Sequence, residues 1–261
     1  FGGVNYLPNT YPLFERFVPQ GNMHGRRVRE IVQDRDGRIW IGTEDEGLNY
    51  MNPLTGEIKF VAESEKFPNI HGLCVDGDRL WVGTFSYGLR VIDTRTQRVV
   101  RTYTASNTPG SLRDNTILSI TRAPDGSIYL GTIRGLCRFD YIASIPPILI
   151  NYITFDSKGN LWVATQTNGV YMLPRGGSKW HRFAPSTRCG MTSNIALSVF
   201  EDSEGTIWVT TQGGGAYRYD RADNKMKRFM VGRNDIGSTI FRIAEDHQGG
   251  LWFTTYKGLV N

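Results

Sequence analysis

Cysteine is scarce in this chain: Cys74, Cys137 and Cys189 are the only three among 261 residues. An odd, scattered set excludes a disulfide framework and lacks the paired spacing of a zinc site, so all three read as small buried or loop thiols. Histidine is nearly as rare, with His24, His71, His181 and His247 as the whole supply. Long hydrophobic runs are missing. The most apolar stretch, 142–150, is interrupted by Ser144, Pro146 and Pro147 and reaches about half of the ~18 residues that a membrane helix needs. Neither sign of charge dominates, because 30 basic and 25 acidic residues leave a formal charge of +5. No Lys/Arg block exceeds Arg26-Arg27, which argues against nucleic acid as a partner and leaves a weak preference for acidic ligands. Phe1 to Tyr6 show no basic flank, apolar stretch or small-residue cleavage site, so the expectation is that any targeting segment has been removed.

Glycine and aromatics are plentiful, and they are periodic. The run Asp34-Arg35-Asp36-Gly37-Arg38-Ile39-Trp40-Ile41-Gly42-Thr43 recurs at Asp202 to Thr211 and at Asp246 to Thr255. Three more copies follow the template: Asp76 to Thr84, one residue shorter; Asp125 to Thr132, with Tyr for Trp; and Asp156 to Thr165. The aromatic anchors Trp40, Trp81, Tyr129, Trp162, Trp208 and Trp252 are separated by 41, 48, 33, 46 and 44 residues. A period in this range is the mark of a repeat architecture.

Each copy reads as a hairpin in which an alternating run such as 28–32 is a strand, Asp-x-x-Gly turns the chain and Ile-Trp-Ile-Gly-Thr returns. A glycine turn and a third strand follow (47–51, 88–92, 135–139, 169–173), then a fourth (58–61, 226–229). The fold class is therefore all-β: a β-propeller of four-stranded antiparallel blades, six to seven in number. The chain 1–261 is one propeller or a fragment of one, cut out of phase. Residues 1–18 supply the last two strands of a blade and 237–261 the first half of another. Either these halves complete each other, or they belong to a longer double-propeller array. A fourth strand is missing between Asp140 and Ile148.

The pattern Asp-x-x-Gly-x-Ile-Trp-Ile-Gly-Thr, then Gly-Leu, together with Thr108-Pro109-Gly110-Ser111-Leu112, resembles the two-component regulator propeller repeat. The resemblance covers essentially the whole chain. It implies a periplasmic sensor of a hybrid two-component system, with an oligosaccharide as ligand. It implies further parts of the same protein as partners: a second propeller, a β-sandwich, a membrane helix and a histidine kinase, acting as a homodimer. Departures are Tyr129, the residues Ala164, Thr210 and Thr254 in place of glycine, and the short fourth repeat.

Recurring letters serve the scaffold, so the anchors are assigned to packing between blades and not to sugar stacking. The recurring aspartates are assigned to turn capping. Ligand contacts are expected where the repeat varies, in the links between second and third strands: Glu44, Phe85, Tyr87, Arg134, Gln166, Asn168, Gln212, Tyr256 and Lys257. The links from fourth to first strands add Arg26, Arg27 and Asn194, with His24, Asn69, His71, Arg113, Asn115 and Ser238 beside them. Four-stranded blades place both sets of links at one end, where planar donors and aromatic faces suit a glycan. Arg26, Arg27, Arg134 and Lys257 suit a uronate or sulfate, which Glu44 to Glu46 would repel. No catalytic residue, metal site or cofactor is assigned, because His24 and His71 are the only histidines in these links and no carboxylate pattern accompanies them. A protein-binding propeller and a lyase or lactonase are the rival readings.

Overall fold

The computed structural model describes residues 4–6, 15–17, 23–106, 111–138, 148–229, 238–256 and 258–260. Among these residues the chain is all-β apart from two short 3-10 turns, Ala62–Lys66 and Pro185–Thr187. A two-stranded antiparallel sheet, Val4–Tyr6 with Glu15–Phe17, is followed by six blades in chain order. The first contains Val28–Gln33, Ile39–Thr43, Leu48–Met51 and Ile58–Phe60. The second contains Ile70–Asp76, Arg79–Thr84, Leu89–Asp93 and Val99–Tyr103. Four strands also form the fourth blade, 150–183, and the fifth, 196–229. The third and sixth blades have three strands each among the described residues. The expected gap at 140–148 lies mostly outside those residues.

The chain divides into two compact units, Phe1–Ile120 and Thr121–Asn261. Within each, the core lies in the seams between consecutive blades. In the first unit Trp40, Leu48 and Phe67 pack with Ile70, Leu73 and Leu80 of the next blade. In the second, Trp162 and Val170 pack with Val199 and Tyr217, and Trp208 packs with Ile240, Ile243 and Phe253. Trp40 and Trp162 are fully buried, whereas Tyr129 and Trp252 are half-buried. Trp40, Trp162, Trp208 and Tyr129 thus lie in seams.

The Asp-x-x-Gly turn explains why aspartate and tryptophan recur six residues apart. One carboxylate oxygen caps the turn, accepting from the amides of Asp36 and Arg38 in the first blade and of Lys158 and Asn160 in the fourth. The other accepts the indole N–H: Trp40 on Asp34 at 2.8 Å, Trp162 on Asp156 at 3.0 Å, Trp208 on Asp202 and Trp252 on Asp246 at 2.7 Å. A buried indole N–H left without such an acceptor costs about 1–3 kcal/mol. Capping was legible in the sequence; the indole bond was not. It holds Asp246 below the usual carboxylate range, with the Gly250 and Gln248 amides adding to the effect.

Steric fit explains the glycine of Gly-Thr and its replacements. A Cβ on Gly42, Gly83 or Gly131 would stand 2.6–2.7 Å from a methyl of Ile70, Ile117 or Ile150, the first residue of the next blade. Where the fourth blade has Ala164, the strand packed against it starts with Ala196, in the same buried cluster. Thr210 instead bonds Ser198 at 2.7 Å and the Phe241 carbonyl at 3.3 Å.

At the turn end, Glu201 receives both the amide and the hydroxyl of Ser157, and Glu245 does the same for Ser203. Arg35 and Asp78 form the corresponding pair in the first unit. At the other end Gly47, Gly88, Gly169 and Gly215 donate to carbonyls of Pro68, Asn115, Asn194 and Ser238, each 2.8 Å away in the following link. The first and second, fourth and fifth, and fifth and sixth blades are thus fastened at both ends. Gly169 has φ +78°, and a side chain there would meet the Phe183 carbonyl at 2.1 Å.

Candidate functional site

The threonine of Gly-Thr fixes the links between second and third strands. Its hydroxyl donates to the carbonyl of the turn glycine: Thr43 to Gly47, Thr84 to Gly88, Thr132 to Gly135, Thr165 to Gly169, Thr211 to Gly215 and Thr255 to Gly258, at 2.6–3.0 Å. It also accepts the amide of Glu46, Tyr87, Arg134 or Asn168. The turn backbone is tied down while its side chains stay free to vary.

Each link lies beside the start of its own blade's first strand, since Glu44, Phe85, Gln166 and Gln212 donate to the carbonyls of Arg27, Asn69, Leu149 and Ile195. Both predicted sets of residues therefore share an end within each of these blades. Asn49, fully buried, exchanges two hydrogen bonds with the backbone of His24 and so positions the segment that carries Arg26 and Arg27.

One feature of this end was not legible in the sequence. The pairing slips by one residue near the start of the first strand in five blades, at Arg29, His71, Asn151, Leu197 and Phe241. A β-bulge leaves its residue outside the ladder and re-aims its side chain. Alternation such as Val28-Arg29-Glu30-Ile31 carries no sign of it. His71, expected in a link, is instead inside the strand Ile70–Asp76, at its bulge.

The bulged residues meet the variable links. In the first unit the His71 and Phe85 rings are tilted, with centroids 5.4 Å apart, and Arg29 Nη2 is 3.2 Å from His71 Nδ1. In the second, Asn151 donates to Gln166 Oε1 at 2.9 Å and to the Ala196 carbonyl, and Phe241 stands edge-to-face against Tyr256 at 4.8 Å. Phe85, Tyr87 and Tyr256 are 43%, 41% and 70% exposed. Arg26, Arg27, Arg134, Asn194 and Gln212 are exposed as well, and Asn168 and Glu44 are half-buried. Lys257 lies outside the described residues. Asp45 accepts the Arg26 amide and Glu46 the Gly25 amide, so this acidic run also braces the link that carries Arg26 and Arg27. Glu44 is left as the acid of that link with no such bond among the described residues.

Burial, reinforced by the Arg29 charge, pushes His71 down to about 4. Between pH 6.5 and 4 the unfolded chain therefore takes up a proton that the folded chain refuses, and stability falls as pH falls through that window. Melting temperature is expected to drop less steeply over this range in His71→Gln than in the native chain; equal slopes in a pH series would contradict the assignment.

A groove of about 620 Å³ opens at the opposite, turn end of the second unit, lined by Ser157, Lys158, Glu201, Ser203, Tyr219 and Arg221 among others. Its Glu201 and Ser157 are the fastening pair between blades. Among the described residues no three His, Cys, Asp or Glu side chains gather closely enough to hold a metal ion. No helix among them is long and apolar enough to cross a membrane.

The model of the two component regulator propeller matches residues 22–45, 190–213 and 234–257. Three stretches of the chain thus match that repeat. Its fold is that of a β-propeller, similar to the extracellular domain assigned to the hybrid two component system BT3049 from B. thetaiotaomicron. That likeness has a TM-score of 0.82 at 22% identity and covers 99% of this chain and 36% of that one. The chain thus spans about a third of that domain's length. It is also similar to a catalytically inactive virginiamycin B lyase from Staphylococcus aureus solved with quinupristin, at TM-score 0.65 and 17% identity over 88% of this chain and 78% of that one. Among curated protein sequences none matches. The matched stretches 22–45 and 234–257 each include part of the candidate end: Arg26 and Arg27 in one, Phe241 and Tyr256 in the other.

Proposed function

We propose that this chain is the ligand-sensing propeller module of a hybrid two-component signalling protein, on the periplasmic side of the inner membrane, and that the loop end of its blades binds an oligosaccharide. The observation that carries this reading is the recurrent bulge. In the first unit it sets His71, bonded to Arg29, beside the exposed Phe85 ring, and in the second it sets Asn151 beside Gln166, so that planar donors and a stacking face, which sugar hydroxyls and ring faces require, occur at this end. A bound glycan signals only if it binds one state of the module more tightly than another. In this reading the state is passed to a second propeller, sandwich, membrane helix and kinase of the same protein, paired with a second copy.

The test is thermal shift with a panel of neutral and acidic oligosaccharides, with and without chelator. One glycan class should raise the melting temperature, by the equivalent of ~2.7 kcal/mol at a hundredfold excess over Kd. Chelator should change nothing. Phe85→Ala and Tyr256→Ala should each weaken binding about tenfold, the loss of one aromatic contact of ~1.4 kcal/mol, without altering melting. The exposed apolar groups Phe85, Tyr87, Ile133 and Tyr256 also favour a second reading, a protein partner held by the same end. Silence across the glycan panel would favour that reading, and a chelator-induced drop would favour lyase-type chemistry.

A further inference from the structure

At the bulge of the fourth blade two side-chain amides are locked in orientation. Asn151 Nδ2 donates to the Ala196 carbonyl at 2.7 Å and to Gln166 Oε1 at 2.9 Å. A carbonyl only accepts, so the Ala196 bond fixes which end of the Asn151 amide is nitrogen, and the second bond then fixes which end of the Gln166 amide is oxygen. Two groups are left over: Asn151 Oδ1, an acceptor, and Gln166 Nε2, a donor. Neither has a protein partner among the described residues, and neither is sealed from solvent as His71 Nε2 is. Joined through one 2.9 Å bond and the width of two amides, they stand at most about 7 Å apart. Two hydroxyls on adjacent carbons cover such a span, one accepting from Gln166 and the other donating to Asn151.

The charge around the pair is selective as well. The links at this end of the fourth and fifth blades, 149–151, 166–168, 193–195 and 212–214, contain no Asp, Glu, Lys or Arg. Asn168, Asn194 and Gln212 add three further amides. The nearby cations are engaged elsewhere: Arg182 donates to the Asn168 carbonyl from the fourth strand, and Arg242 holds its guanidinium over the Tyr152 ring at 4.1 Å. An anion in these links would meet the Asn151 oxygen and find no cation within them to offset its lost hydration. In the first unit Arg26 and Arg27 share their end with Glu44, Asp45 and Glu46, so positive charge does not prevail there either. We infer that Asn151 and Gln166 form a hydroxyl-reading pair, and that the ligand of the loop end is a neutral oligosaccharide with unsubstituted neighbouring hydroxyls, not a uronate or a sulfated sugar. This inference rests on the oligosaccharide reading of the same end.

The experiment is calorimetric titration of the chain with neutral gluco-, galacto-, manno- and xylo-oligosaccharides, their O-methylated derivatives, oligogalacturonate and sulfated oligosaccharides. At least one neutral sugar should bind, and its O-methylated form, which can no longer donate, should bind about tenfold more weakly or worse. Its Kd should change less than twofold between about 0.05 and 0.5 M salt. Gln166→Glu keeps an oxygen for Asn151 and sets a charged oxygen where the donor was, so it should retain the native melting temperature and weaken the neutral sugar about tenfold or more. Binding confined to uronates or sulfated sugars, affinity that falls steeply with salt, or full neutral-sugar affinity in Gln166→Glu would overturn the pair and leave a sugar site standing. Should Gln166→Glu melt lower, the native chain decides alone, and equal binding of methylated and free sugar would overturn the pair. If no oligosaccharide of any kind bound, the sugar reading would fall with it.

Discussion

Trp208→Ala is expected to lower the melting temperature on the order of 10 °C, from a loss of roughly 3–5 kcal/mol, and to leave ligand affinity within twofold of native. Trp208 is 3% exposed and edge-to-face with Phe229 at 4.9 Å and Phe253 at 6.1 Å, so truncation opens the seam between the fifth and sixth blades. It also strips Asp202 of the indole donor at 2.7 Å. The loop end is separated from this anchor by the length of the strand. Scanning calorimetry and a glycan titration on the same variant decide the matter. Native melting with abolished binding would make the tryptophan a ligand contact and overturn the scaffold assignment.

The second large effect concerns Asp156, which is 4% exposed and accepts four hydrogen bonds: from the amides of Lys158 and Asn160, the Asn160 side chain and the Trp162 indole. Asp156→Ala leaves the turn uncapped and the Trp162 N–H, in a fully buried residue, without its acceptor, for a loss of about 2–4 kcal/mol. Asp156→Asn keeps an oxygen but sets an amide N–H₂ against donors, and should be nearly as damaging. Adding Trp162→Phe removes the opposing donor, so the double variant Asp156→Asn/Trp162→Phe should cost less than the sum of the two singles. Strict additivity in denaturant melts would show that the indole bond contributes nothing.

The architecture was legible because it is written six times. Asp-x-x-Gly, the aromatic strand and the following glycine each have a local cause, and repetition fixed the strand order without any long-range information. The anchors were assigned to the seams for the same reason, and Trp40 and Trp162 lie there. What escaped depends on groups distant in the chain or on small backbone shifts. The bond between Trp40 and Asp34 joins residues whose side chains meet only after the hairpin closes. The glycine of Gly-Thr looked like a turn residue, yet Gly42 answers to Ile70 in the next blade. The slip at Arg29 and His71 changes no residue type, so hydrophobic alternation cannot reveal it. Of the candidate end, the link positions of Phe85, Gln166 and Tyr256 follow from the repeat itself. Their neighbours Arg29, Asn151 and Phe241 were not named at all.

The bulged positions have a consequence for how such a protein acquires a new specificity. A residue outside the ladder contributes no strand-pairing bond, so at an exposed bulge such as Arg29 exchange leaves the frame's chemistry alone. Exposed bulge residues such as Arg29 amount to an alphabet set in a fixed frame, and transplanting them onto a sister repeat should transfer taste without transferring stability.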